Sequence, residues 1–152
     1  MVNFLTAVDG ILSTFKTAWD ANTPAITTTV PAVVYEALEP DLKPHPRTAG
    51  VPWCRVVVRH SDASKVSLTD SSKTGRYRRN GFAWVQVFVP DAGGMSWGIA
   101  QQLAQVARNA FEGKRAANGA VLFTKTQIVD RPKDGPFFNF DIKAFFYWDE
   151  LK

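Results

Sequence analysis

The chain has 152 residues, of which 45% are hydrophobic, 21% charged and 12% aromatic, with a formal net charge of +4. That length suits a single domain spanning 1–152 with a core of its own. The apolar content excludes a disordered chain, and no apolar run approaches the roughly 18–20 residues of a membrane span. The lone Cys54 excludes an intramolecular disulfide framework. The stretch from Met1 to Phe15 lacks a basic region and carries Asp9, so it does not read as a secretion signal, and a cytosolic protein is expected.

The positive charge is unevenly placed. Between Lys43 and Arg79 stand nine basic residues against Asp62 and Asp70, a local net of +7 that leaves −3 for the remainder. Such a segment suits a nucleic acid, an acidic surface on a partner protein, or a solvated strand face.

Asn3 to Trp19 reads as an amphipathic helix: Phe4, Leu5, Val8, Ile11, Leu12, Phe15 and Trp19 recur at helical spacing, with Asn3 as its cap. Gly10 inside it costs about 1 kcal/mol relative to alanine. Ala32 to Leu38 is a short strand, and Glu39 to Pro52, broken by prolines, is a loop. Trp53 to His60 alternates as a strand, with Cys54, Val56 and Val58 on one face and Trp53, Arg55, Val57 and Arg59 on the other. Ser61 to Gly75 is polar and reads as a long loop or an extended hairpin arm.

Arg76 to Val89 carries the strongest strand pattern. Ala83, Val85, Val87 and Val89 line one face and Phe82, Trp84, Gln86 and Phe88 the other, so both faces need covering. Ser96 caps a second helix, Trp97 to Glu112, which ends at Gly113. Ala120 to Val129 and Phe137 to Trp148 are strands joined by a hairpin connection, Asp130 to Pro136. In the last strand Phe138, Phe140, Ile142, Ala144, Phe146 and Trp148 point to core or interface. The opposite face begins polar at Asn139, Asp141 and Lys143 and turns aromatic at Phe145 and Tyr147. The expected fold is α+β: a mainly antiparallel sheet of about five strands packed against two helices, with a long polar loop or hairpin arm.

Catalytic and metal-binding patterns are missing from the sequence. His45 and His60 are its only histidines, without a His-x-x-x-His or Cys-x-x-Cys spacing, so no metal or cofactor is expected. Cys54 and His60 are separated by roughly 20 Å of strand, too far for a nucleophile and its base. Gly93-Gly94 before a helix reads as a turn rather than an anion cradle, and Asp130, Asp134 and Asp141 as turn and surface residues. The chain is not expected to be an enzyme. Asn80-Gly81-Phe82-Ala83-Trp84-Val85-Gln86-Val87 approximates the RNP1 strand of RNA-recognition motifs, with Arg76, Arg78 and Arg79 before it. Asn80 and Val87 depart from that pattern, and no partner motif precedes it, which leaves nucleic-acid binding as the alternative reading.

Taken together, the elements resemble the tail-terminator (tail-completion) proteins of long-tailed bacteriophages. The features that carry the resemblance are the leading helix, the polar loop before the Gly81-led strand Val85-Gln86-Val87-Phe88-Val89-Pro90, the Gly93/Gly94 turn and the helix bearing Ala100, Ala104, Ala107 and Ala110. Phe111-Glu112-Gly113, Val121 to Phe123 and the aromatic strand ending Trp148-Asp149-Glu150 complete it. The resemblance implies a structural virion protein assembled in the host cytoplasm. Such proteins close into a ring, typically a hexamer, at the head-proximal end of the tail tube, where they stop tube growth and offer a head-joining surface. The implied partners are further copies of the chain, the tail-tube protein and a head-completion or connector protein, with DNA passing through the lumen without specific binding. A neck or head-completion protein is the nearest alternative. Ring closure would cover Trp84, Phe88, Phe145 and Tyr147. A flexible arm at about 61–79, carrying Lys65, Lys73, Arg76, Arg78 and Arg79, would meet acidic groups on the tube or a neighbouring subunit.

Overall fold

The computed structural model describes residues 2–66 and 75–152. Helix α1 (Phe4–Asn22) starts where expected: Asn3 Oδ1 accepts the Thr6 backbone N–H at 2.9 Å, a cap worth about 1 kcal/mol. Its stripe of Ala7, Ile11, Phe15 and Trp19 is fully buried, and the Trp19 indole N–H donates to the Pro31 carbonyl at 2.9 Å, so its burial leaves no orphaned donor. Gly10 has a positive purpose. A Cβ there would lie 2.7 Å from the Ala117 backbone nitrogen, in a turn where Ala117 and Asn118 hold φ of 51° and 56°.

Strand β1 (Ala32–Tyr35) is followed by a 3-10 helix, Glu36–Asp41, and by a one-turn helix α2 (Pro46–Ala49). The expected strand to Leu38 therefore stops three residues early, and the expected loop contains two short helical turns that prolines start or tolerate. Strands β2 (Trp53–Lys65) and β3 (Arg76–Pro90) form one long antiparallel pair. Helix α3 (Trp97–Asn109), capped by Ser96, is followed by β4 (Arg115–Ala116), β5 (Val121–Asp134) and β6 (Phe137–Leu151). The expected seven-residue connection between β5 and β6 shrinks to a tight turn at Gly135 and Pro136, with Gly135 at φ 58°.

The sheet has six strands in the order β1-β2-β3-β6-β5-β4. Only β1 and β2 are parallel; the other pairs are antiparallel. The α+β reading holds, and the additional strand is β4, whose two residues are too short to show any periodicity. Both helices pack on one face, over Val85, Val87, Val89, Phe140, Ile142, Ala144, Phe146 and Trp148, and the large core lies between them and the sheet. Gly81 makes this possible near the upper end: a Cβ there would stand 2.3 Å from the Arg59 carbonyl and 2.7 Å from the Phe146 ring.

The described start of the polar stretch after His60 is strand rather than loop. Asp62–Lys65 pair with Tyr77–Asn80 past a bulge, and β6 follows alongside to Leu151, where Gly75 and Lys152 exchange backbone hydrogen bonds of 2.5 and 2.9 Å. Lys65 and Arg76 to Arg79 thus sit in strands, while Lys73 lies outside the described residues.

Candidate functional site

The opposite face of the sheet, free of α1 and α3, carries every aromatic singled out for subunit contact, and it has three zones. At the lower end Val34, Trp53, Phe88 and Phe137 form a second small core. Phe88 is 2% exposed and stacks on Trp53 with ring centres 4.3 Å apart. The 36–49 segment closes over this end: His45 sits edge-on to Trp53, Arg47 lies over the Phe137 ring, and Arg47 Nη1 reaches Asp134 at 2.8 Å. Phe88 is therefore enclosed by its own chain and stands apart from Trp84, Phe145 and Tyr147. Sequence alternation put these four on one face, but only the fold shows that a proline-rich loop returns over one end of it.

Across the middle runs a polar chain. Arg55 holds Glu39 through Nε at 2.7 Å and Nη2 at 2.5 Å, and donates from Nη1 to Gln86 at 3.0 Å. Gln86 donates to Asp141 at 3.4 Å, and Arg131 Nε donates to the other Asp141 oxygen at 2.8 Å. Hydrogen bonding from Arg55 holds the Glu39 carboxyl below its usual range. Asp141, expected at a surface turn, is only 2% exposed, because β5 and the Arg131 side chain close over it.

Above that chain the face is half-buried and aromatic. Phe82 and Phe145 are paired across strands β3 and β6, with centres 5.9 Å apart. Lys143 Nζ lies over Phe82 at 5.5 Å and over Trp84 at 5.4 Å, and the Arg78 guanidinium lies 4.1 Å from the Tyr147 ring centre. The Trp84 indole N–H is buried with no acceptor among the described residues.

The arm arginines have partners within the chain, contrary to the expectation that acidic groups elsewhere would supply them. Arg76 and Arg78 both pair with Asp149, Arg78 Nε at 3.0 Å, and Arg79 pairs with Glu150 at 2.7 Å. Hydrogen bonding from Arg78 lowers the Asp149 carboxyl, and from Arg79 the Glu150 carboxyl. The partners are more than 70 positions away in sequence, so a local charge count placed the cations correctly and missed what neutralises them.

On the helix side of the arm, His60 Nε2 accepts the Trp148 indole N–H at 3.1 Å, and its ring meets Phe4 and Phe146. Burial, with Arg79 nearby, depresses its basicity, so it is neutral with its proton on Nδ1. Burial likewise raises the Cys54 thiol well above its ordinary value, the opposite of what a nucleophile needs. Among the described residues no three His, Cys, Asp or Glu side chains are grouped to hold a metal, and no helix is long and apolar enough to cross a membrane.

Two solved structures share this fold over nearly the whole chain. One belongs to the virion of a native gene transfer agent (GTA) particle, at 17% identity, covering 97% of this chain and 100% of that chain, with a TM-score of 0.56. The other has 19% identity over 94% of this chain and 95% of its own, also with a TM-score of 0.56. No protein-family model matches the chain, and no curated protein matches it by sequence. At these identities the likeness establishes the α+β architecture.

Proposed function

We infer that the chain is a structural virion protein that closes with copies of itself into a ring, a hexamer at the head-proximal end of a tail tube. There it ends tube polymerisation and offers the surface to which the head is joined. The observation that carries this reading is the end-to-end likeness to a chain from a gene transfer agent virion, in which neither chain has a domain the other lacks. The resemblance of the sequence elements to tail terminators supplies the finer assignment. Its partners on this reading are its own copies, the tail-tube protein and a head-completion or connector protein. DNA passes without specific binding, since a lumen must let it slide, and the ring acts without catalysis or cofactor.

The face away from α1 and α3 supports the reading through Trp84, whose buried indole N–H awaits an acceptor, and through the half-buried Phe82, Phe145 and Tyr147. Light scattering and negative-stain microscopy test it, on the chain alone and mixed with its cognate tail-tube protein. Rings, or tubes capped at one end, are expected. A chain that neither forms rings nor arrests tube growth overturns the assignment.

A second reading has one observation in its favour: Phe82 and Trp84 of the RNP1-like strand lie on the face of the sheet away from α1 and α3. It predicts single-stranded RNA binding that weakens steeply with salt. Lys143 already lies over both rings, and Arg78 over the neighbouring Tyr147, which favours a protein contact over base stacking.

A further inference from the structure

Both outer edges of the sheet are stepped, and the steps are complementary. Strand β1 covers only Trp53–Val56 of β2, so from Val57 to Lys65 no strand among the described residues lies on its outer side, away from β3. Strand β4 covers only Val121 and Leu122 of β5, which leaves the rest of β5, down to Asp134, open in the same sense. The register places these recesses at opposite corners. Through β3 and β6, β1 stands level with Ile128–Arg131 of β5. One continuous row runs Asp62, Asn80, Tyr147, Leu122, Arg115, so β4 stands level with the open part of β2. The projection on each edge thus matches the recess on the other.

Chemistry agrees with shape. An open edge presents unpaired backbone N–H and C=O groups that a further strand can satisfy. The recess on β2 adjoins a groove of about 170 Å³ between β2, α1 and the turn after β1, lined by the apolar Val8, Leu12, Tyr35, Ala37 and Val58 and by the ion-paired Glu36 and Arg59. The shared row ends in an acid on one edge, Asp62, and a base on the other, Arg115. Both are exposed, and neither has an ion pair among the described residues; Asp62 meets only Ser61 and Asn80. Pro132, which lacks an N–H to donate, stands one residue beyond the β5 rows level with β1, where pairing must end.

We propose that a second copy of this chain docks by edge pairing, with the β4–β5 edge of one copy against the β2–β1 edge of the next and Arg115 facing Asp62. This rests on the reading of the chain as a ring-former and names the contact that closes the ring. Strand sense makes β5 antiparallel to the neighbour's β1 and β4 parallel to its β2. Because two different edges meet, the contact is head-to-tail and repeats until it closes. Pairing of like edges would set projection against projection and Arg115 against Arg115.

Disulfide trapping tests this. Asp62→Cys and Arg115→Cys are prepared singly and together, with Asp20→Cys/Gln101→Cys on the exposed helix surfaces as control; Cys54 is buried and does not compete. Under mild oxidation a mixture of the two single variants gives dimers, and the double variant gives a ladder of higher species. Both form on the order of tenfold or more faster than the control, as pre-aligned groups should. Single variants that link to themselves as readily as to each other overturn the proposal, as does a double variant no faster than the control. Rings seen by microscopy without the cross-link sink this contact and leave the ring reading standing. A ladder from a chain that neither closes into rings nor caps tubes keeps the contact and sinks the ring.

Discussion

The two faces of the sheet are built from the same strands and the same aromatic-rich composition, yet they solve different problems. On the helix side, alternate residues of β3 and β6 meet α1 and α3, and Val85, Val87, Ile142 and Ala144 are wholly enclosed. On the other side only the lower end is closed, by the 36–49 segment over Trp53 and Phe88. Higher up, cations lie over half-buried rings, and the Trp84 indole N–H, like that of the enclosed Trp53, has no partner among the described residues. The larger core lies on the first face, whereas the second is only partly covered by the chain's own residues.

The largest expected contrast comes from truncating equivalent aromatics on the two sides. Phe15→Ala or Phe146→Ala should cost about 3–5 kcal/mol, read as a lowered urea midpoint, because each leaves a cavity in a close-packed core. Phe145→Ala should cost under about 1.5 kcal/mol and act instead on assembly. Equal losses of stability on both sides would erase the distinction between the faces.

Next is Gly81→Ala, expected to cost about 1–3 kcal/mol, since the added methyl must displace either the Arg59 carbonyl or the Phe146 ring. An unchanged melting curve would mean that the upper ends of the strands yield more easily than the core below. Asp141→Ala should cost a similar 1–3 kcal/mol by leaving half-buried Gln86 without its acceptor and Arg131 without its carboxylate. A neutral result would reduce the polar chain across the middle to decoration.

Trp84→Phe separates the faces more finely. It removes a buried donor that has no acceptor among the described residues, so monomer stability should change by less than about 1 kcal/mol in either direction. Assembly should weaken if a neighbouring subunit supplies that acceptor. The smallest effect belongs to the arm. The folded Asp149 carboxyl is held below its unfolded value of about 3.9, so its pairing with Arg78 and Arg76 contributes fully above that pH and is lost as pH falls through the lower folded value. Exposed pairs of this kind are worth under about 1 kcal/mol each. Hydrogen exchange of Tyr77–Arg79 should therefore accelerate below about pH 4 while exchange in α1 does not.

Much of the helix-side architecture was legible in the order of residues. The stripe of α1, the Asn3 and Ser96 caps and the alternation of β3 and β6 are local patterns, set by a turn of 3.6 residues or a pleat of two. The same alternation put Trp84, Phe88, Phe145 and Tyr147 on one face. It did not separate Phe88 from the others, because enclosure depends on where a loop from residues 36–49 returns. Nor did the charge count reveal that Asp149 and Glu150 already neutralise Arg76, Arg78 and Arg79, a pairing that exists only because β3 and β6 are neighbours.

Sequence alone determined what periodicity and capping control: the helices, the principal strands, their buried stripes and the α+β class. Tertiary structure alone decided what depends on strands distant in the chain lying side by side. That includes which cations are neutralised, which aromatics are enclosed, and which stretches of β2 and β5 are left as open edges. Backbone groups on an edge look the same in sequence as those in the middle of a sheet; only the presence or absence of a neighbouring strand distinguishes them.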